Sequence, residues 1–178
     1  MIDPVGARLW GYRALFLLLV GGLAVLRLLP LGPGPSGLPG PEPTVALAFA
    51  WVIRQPAYVP AWLIVAVFLP LDLLLHRPPG LGALTVLLGA LALRRRTAAG
   101  VPPFPVEWAL VAAVLLSVTA LRQVVLALTA APAPPIGLDL MQALFTAAVY
   151  PLVVAVSAWM LGVRRSRPGA VDARGARL

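Results

Sequence analysis

Of the 178 residues, 61% are hydrophobic and the mean hydropathy is +0.95, against roughly 45–50% apolar content in ordinary soluble domains. One small soluble globule cannot hide that excess, so a single integral-membrane bundle is expected. The net charge of +8 comes entirely from arginine, and the absence of cysteine excludes disulfides, thiolate catalysis and cysteine metal sites. The arginines cap apolar runs, which follows the positive-inside rule and argues against nucleic acid.

The first apolar run, about 10–31, is longer than a secretory h-region and has no small-residue cleavage site, so it reads as a retained span. LGPGPSGLPGPEP, residues 31–43, is too rich in proline and glycine for a helix and reads as a loop. The second stretch, about 41–54, is short; ten residues of helix rise only ~15 Å, half a hydrocarbon core. The third, 58–76, is closed at Gln55-Pro56 and at Arg77-Pro78-Pro79-Gly80. The fourth, 81–94, ends at Arg94-Arg95-Arg96. The fifth covers 106–130, and the sixth, 138–163, carries Pro151 near its middle. A basic tail, 164–178, follows.

The expected fold is therefore all-α: a polytopic membrane protein with about six transmembrane helices in one bundle. Six spans place both termini on one side, and arginine asymmetry makes that side the cytoplasm. With the N-terminus inside, the outer loops hold only Arg77. Trp10, Trp51, Tyr58, Trp62, Trp108 and Trp159 then lie near the inner ends of spans, as an interfacial belt would.

No catalytic, metal-binding or cofactor-binding constellation is visible. His76 reads as an interfacial polar residue at a helix end. Ser117 and Ser157 read as backbone-bonding or packing groups. The charges within the spans, Arg27, Asp72, Arg122 and Asp139, carry the stronger signal. They could form a polar site or gate, or a structural cluster that locks the helices together; the second reading is preferred. Helix arithmetic puts Arg27, Asp72 and Arg122 each ~21–26 Å from the inner boundary, with Asp139 on the same side. The expected pairing joins Asp72 to Arg122 or Arg27, leaving Asp139 for the other arginine. Small residues four apart, Ala109, Ala113 and Ser117 on the fifth span and Ala143, Ala147, Pro151 and Ala155 on the sixth, suggest packing against a partner helix.

The run Arg54-Gln55-Pro56-Ala57-Tyr58-Val59-Pro60, the helix with Leu71-Asp72-Leu73-Leu74, then Pro79-Gly80-Leu81, and Val149-Tyr150-Pro151-Leu152 before Arg164-Arg165, together resemble the rod shape-determining protein MreD family of alphaproteobacterial type. The resemblance implies a non-enzymatic scaffold of the cell-elongation complex in the bacterial inner membrane. It implies binding to the single-span protein MreC, alongside RodA, its penicillin-binding transpeptidase and MreB, in lateral peptidoglycan synthesis. It also implies a fold similar to the substrate-binding subunits of energy-coupling-factor transporters. A vitamin-type binding subunit of a transporter is the alternative function. Membrane lipid and a second copy of the chain are further expected partners.

Overall fold

The computed structural model describes residues 4–28, 39–98 and 100–159, and it is all-helical over them. The helices are α1 (Pro4–Leu28), α2 (Pro43–Arg54), α3 (Ala61–Leu74), α4 (Leu81–Thr97), α5 (Phe104–Leu128) and α6 (Ile136–Trp159). Their bounds lie within a few residues of the sequence expectation, except that α1 begins six residues earlier, at Pro4 rather than at Trp10. The loop at 31–38, the end of the sixth span at 160–163 and the tail at 164–178 lie outside the described residues.

Proline and glycine set most of the boundaries. Pro43 opens α2 at its first turn, where no N–H is needed, and Pro56 follows its end. Pro60 and Pro103 are the N-caps of α3 and α5. Gly80, the N-cap of α4, has φ +86, a left-handed conformation that side chains resist. Both α3 and α5 end in Schellman turns. After α3, the N–H groups of Arg77 and His76 donate to the carbonyls of Asp72 and Leu73. After α5, those of Ala131 and Ala130 donate to Leu126 and Ala127. The left-handed residues are His76 (φ 53) and Ala130 (φ 49), where glycine is usual.

The shortest helix holds the centre. Every residue of α2 from Thr44 to Arg54 is buried, with α4 and α6 as its main neighbours and α1 on a further side. Around it, α3 packs on α4, α4 on α5, and α5 on α6, while α1 reaches only α2 and α3 extensively. At Gly89 an added Cβ would lie 2.6 Å from Phe49 Cζ, so the missing side chain lets α4 close on α2. The outward faces carry Leu18, Leu128, Leu152 and Trp159, all strongly exposed. That is the pattern of a bundle solvated by hydrocarbon.

Length corrects the count of spans. Gly6–Arg27, Phe104–Leu128 and Ile136–Trp159 are each long and apolar enough to cross a membrane. At 12, 14 and 17 residues, α2, α3 and α4 rise only ~18, ~21 and ~26 Å, short of a ~30 Å core. The prolines and glycine that close α2 and α3 at both ends are the reason.

Candidate functional site

Polar chemistry gathers in two layers, one at each end of α2. The first contains every intramembrane charge singled out from the sequence. Here α1, α3 and α5 end while α2, α4 and α6 begin. Arg122 Nη2 lies 2.6 Å from Asp139 Oδ1, and Gln123 Nε2 donates to Asp139 Oδ2 at 2.5 Å. Arg27 and Arg77 converge on one carboxylate, Glu42, at 3.1 and 2.6 Å. Arg27 also donates to the Pro41 carbonyl at 3.2 Å, tying α1 to the start of α2. The Glu42 backbone N–H donates to Thr146 Oγ1 at 2.9 Å, tying the same point to α6.

Glu42 immediately precedes α2 and anchors this layer. Burial pushes its carboxyl upward, but the Arg77 and Arg27 guanidinium groups outweigh burial and hold it below the ordinary value of 4.5. Sequence reasoning missed Glu42 because it lies in the proline-rich loop. Its flanking prolines, Pro41 and Pro43, were the available sign that a helix started there.

The expected pairing of Asp72 with Arg27 or Arg122 is corrected. Asp72 forms no ion pair among the described residues. Its Oδ2 instead accepts a hydrogen bond from the Ala83 N–H at 3.0 Å. The carboxylate thus satisfies a free donor in the first turn of α4, as a capping residue would, but from the preceding helix. Gly82 makes room for it: a Cβ there would lie 2.1 Å from Asp72 Oδ1. Helix arithmetic gives depth alone, and the choice of partner depends on which way each side chain turns.

The second layer, at the other end of α2, is more deeply buried. Arg54 Nη2 donates to Glu107 Oε1 and Oε2 at 3.0 and 3.2 Å. Tyr150 Oη donates to Glu107 Oε1 at 2.7 Å. Glu107 and Tyr150 are wholly buried and Arg54 is nearly so. Trp51 Nε1 donates to Ser157 Oγ at 3.2 Å, which gives Ser157 a packing role. Arg94 donates to the carbonyls of Pro56 and Val59, fastening the α2–α3 loop. Tyr58 in that loop stacks on Tyr12 with ring centroids 4.3 Å apart. Arg13 lies over both Trp10 and Trp62, at 4.9 and 5.8 Å from their centroids. Glu107 also escaped the sequence reading. The signal was its place at the start of the fifth span, level with Arg54 at the end of the second.

The two small-residue stripes part ways. Ala109, Ala113 and Ser117 are exposed on α5, with Ser117 Oγ donating back to the Ala113 carbonyl at 2.8 Å. On α6, Ala143 and Ala147 are buried inside the bundle, Pro151 is half-buried and Ala155 is exposed. Trp108 Nε1 donates to the Ala147 carbonyl at 2.7 Å. The expectation that Ala143 and Ala147 face a partner is therefore corrected: their small size seats α6 against the bundle's own helices.

Among the described residues no cluster of histidine, cysteine and carboxylate side chains could hold a metal ion. Comparison of the chain with protein-family models, with curated proteins and with solved structures finds no match in any of the three.

Proposed function

We propose that this protein is a non-enzymatic membrane scaffold of the MreD type, which binds a single-span MreC-type partner in the cell-elongation complex. One observation carries the reading: two separate runs that resemble that family converge on one buried carboxylate. Arg54 of the first run and Tyr150 of the second both donate to Glu107. In the first run Val59 is fully buried and Tyr58 stacks on Tyr12. The resemblance therefore rests on residues that build the bundle, which suits a scaffold whose chief property is a stable outer shape.

The exposed Ala109, Ala113 and Ser117 make α5 the proposed docking face, since small residues let a second backbone approach closely. The test is co-purification of the tagged protein from its native membrane. A single-span partner should remain bound, and Ala113→Phe should release most of it while leaving the yield of folded protein unchanged. Recovery of an ATPase module with a bound metabolite, and no single-span protein, would instead establish the transporter-subunit alternative.

A further inference from the structure

A cavity of about 380 Å³ opens at the Glu42 end of the bundle, between the turn after α3 and the turn after α5. That volume lies within the range of small-molecule sites. Its polar lining comprises His76, Arg77, Arg122, Asp139 and Gln142. Its walls are apolar, formed by Leu81, Leu126 and Leu138.

The rim is stiff. Pro39, Pro78, Pro132 and Pro134 stand around it, and each proline fixes one backbone angle. The two Schellman turns at His76 and Ala130 lock the adjoining chain. The space is therefore preformed.

The hydrogen-bond inventory determines what could occupy it. The only carboxylate in the lining, Asp139, is already engaged on both oxygens, by Arg122 and by Gln123. A guanidinium carries five N–H donors. Arg77 uses one for Glu42, and Arg122 engages Asp139 through Nη2. Two smaller cavities of about 50 and 30 Å³, each room enough for water, also border Arg122. Donors outnumber acceptors in the lining, although the charges of Arg77 and Arg122 are themselves met by Glu42 and Asp139.

From this cavity we infer a binding site for an oxyanion, a phosphate or carboxylate, borne on a small amphiphilic molecule. The anion contacts Arg77 and Arg122, Gln142 contributes a further donor, and the apolar remainder rests on Leu126 and Leu138. A phospholipid headgroup entering sideways and a soluble phosphate ester share this chemistry. The site stands independently of the scaffold reading, since a scaffold and a transporter subunit could each carry it.

The test uses the full chain in phosphatidylcholine nanodiscs, with phosphatidylglycerol or glycerol phosphate as probes and native mass spectrometry as the readout. One anion should bind per chain, saturably. Arg77→Gln should weaken it about tenfold, and Arg13→Gln, at the opposite end, should leave it unchanged. Leu138→Trp fills the cavity without touching an ion pair, and it carries the test if Arg77→Gln fails to fold. Binding of phosphatidylglycerol alone assigns a lipid headgroup; binding of glycerol phosphate in pure phosphatidylcholine assigns a soluble ligand. If neither probe binds saturably, or binding survives Leu138→Trp, the site is refuted.

Discussion

Two carboxylates, the part-buried Glu42 and the wholly buried Glu107, hold the ends of α2, and their surroundings predict different costs of removal. Glu107 is wholly buried, so Glu107→Gln removes from the interior the carboxylate that both Arg54 and Tyr150 meet. It should cost about 3 kcal/mol, and Tyr150→Phe about 1 kcal/mol, measured as chemical or thermal unfolding in detergent. Glu42 faces arginines that keep some solvent access, at 22% and 31%, so Glu42→Gln should cost less, about 2 kcal/mol. The Glu42 carboxyl is held below its ordinary 4.5, so its stabilisation is complete above that pH and disappears as pH falls through the folded value. The stability gap between wild type and Glu42→Gln should therefore be wide at pH 7 and close in acid. An equal gap at pH 7 and pH 3 would contradict the assignment. Asp72 obeys a different logic. Asp72→Ala should cost about 1–2 kcal/mol through the uncapped first turn of α4, whereas Asp72→Asn keeps an acceptor and should cost less. Exchanging the charges in an Asp72→Arg, Arg122→Asp double variant should lower stability below either single variant, because Asp72 is no partner of Arg122.

At the scale of elements, the turns after α3 and α5 place non-glycine residues in left-handed backbone, a conformation costing roughly 1–2 kcal/mol. Glycine removes that strain and adds back part of it as chain entropy. His76→Gly and Ala130→Gly should each stabilise the bundle by about 0.5–1 kcal/mol, read as a rise in unfolding temperature. A fall at both positions would show that the side chains, not the backbone, hold these turns. Gly82→Ala should behave oppositely, since its new Cβ would strike the Asp72 carboxylate. Proline made some element boundaries readable from sequence, as at Pro56 and at Pro78-Pro79. The left-handed residues were not readable, because neither histidine nor alanine signals such a turn.

At the scale of the molecule, α2 acts as a strut. About 18 Å of helix joins Glu42 to Arg54, and each end is fastened to other helices by an ion pair. The consecutive helices alternate in direction, so the arginines at 94–96 lie at the same end as Arg54 and opposite Arg77. Applied to that arrangement, the positive-inside rule predicts that the Arg54 end faces the cytoplasm. Reporter fusions after Leu178 and within 32–40 should therefore report opposite sides of the membrane. A cytoplasmic signal from the second fusion would mean that α1 does not cross.

Composition and long apolar runs by themselves determined a helical membrane bundle, because no soluble packing could hide so much apolar surface. Spacing along the runs also placed Arg27, Asp72 and Arg122 toward the ends of their helices and Asp139 toward the start of its own, since rise per residue is constant. Tertiary structure alone decided who touches whom. Azimuth around each helix turned Asp72 toward the α4 backbone, Arg122 toward Asp139, and Ala147 inward while Ala113 stayed outside. It also brought in Glu42 and Glu107, whose significance lies in arginines distant along the chain. Pairing depends on rotation and on neighbours remote in sequence, and neither is contained in the local spacing of one run.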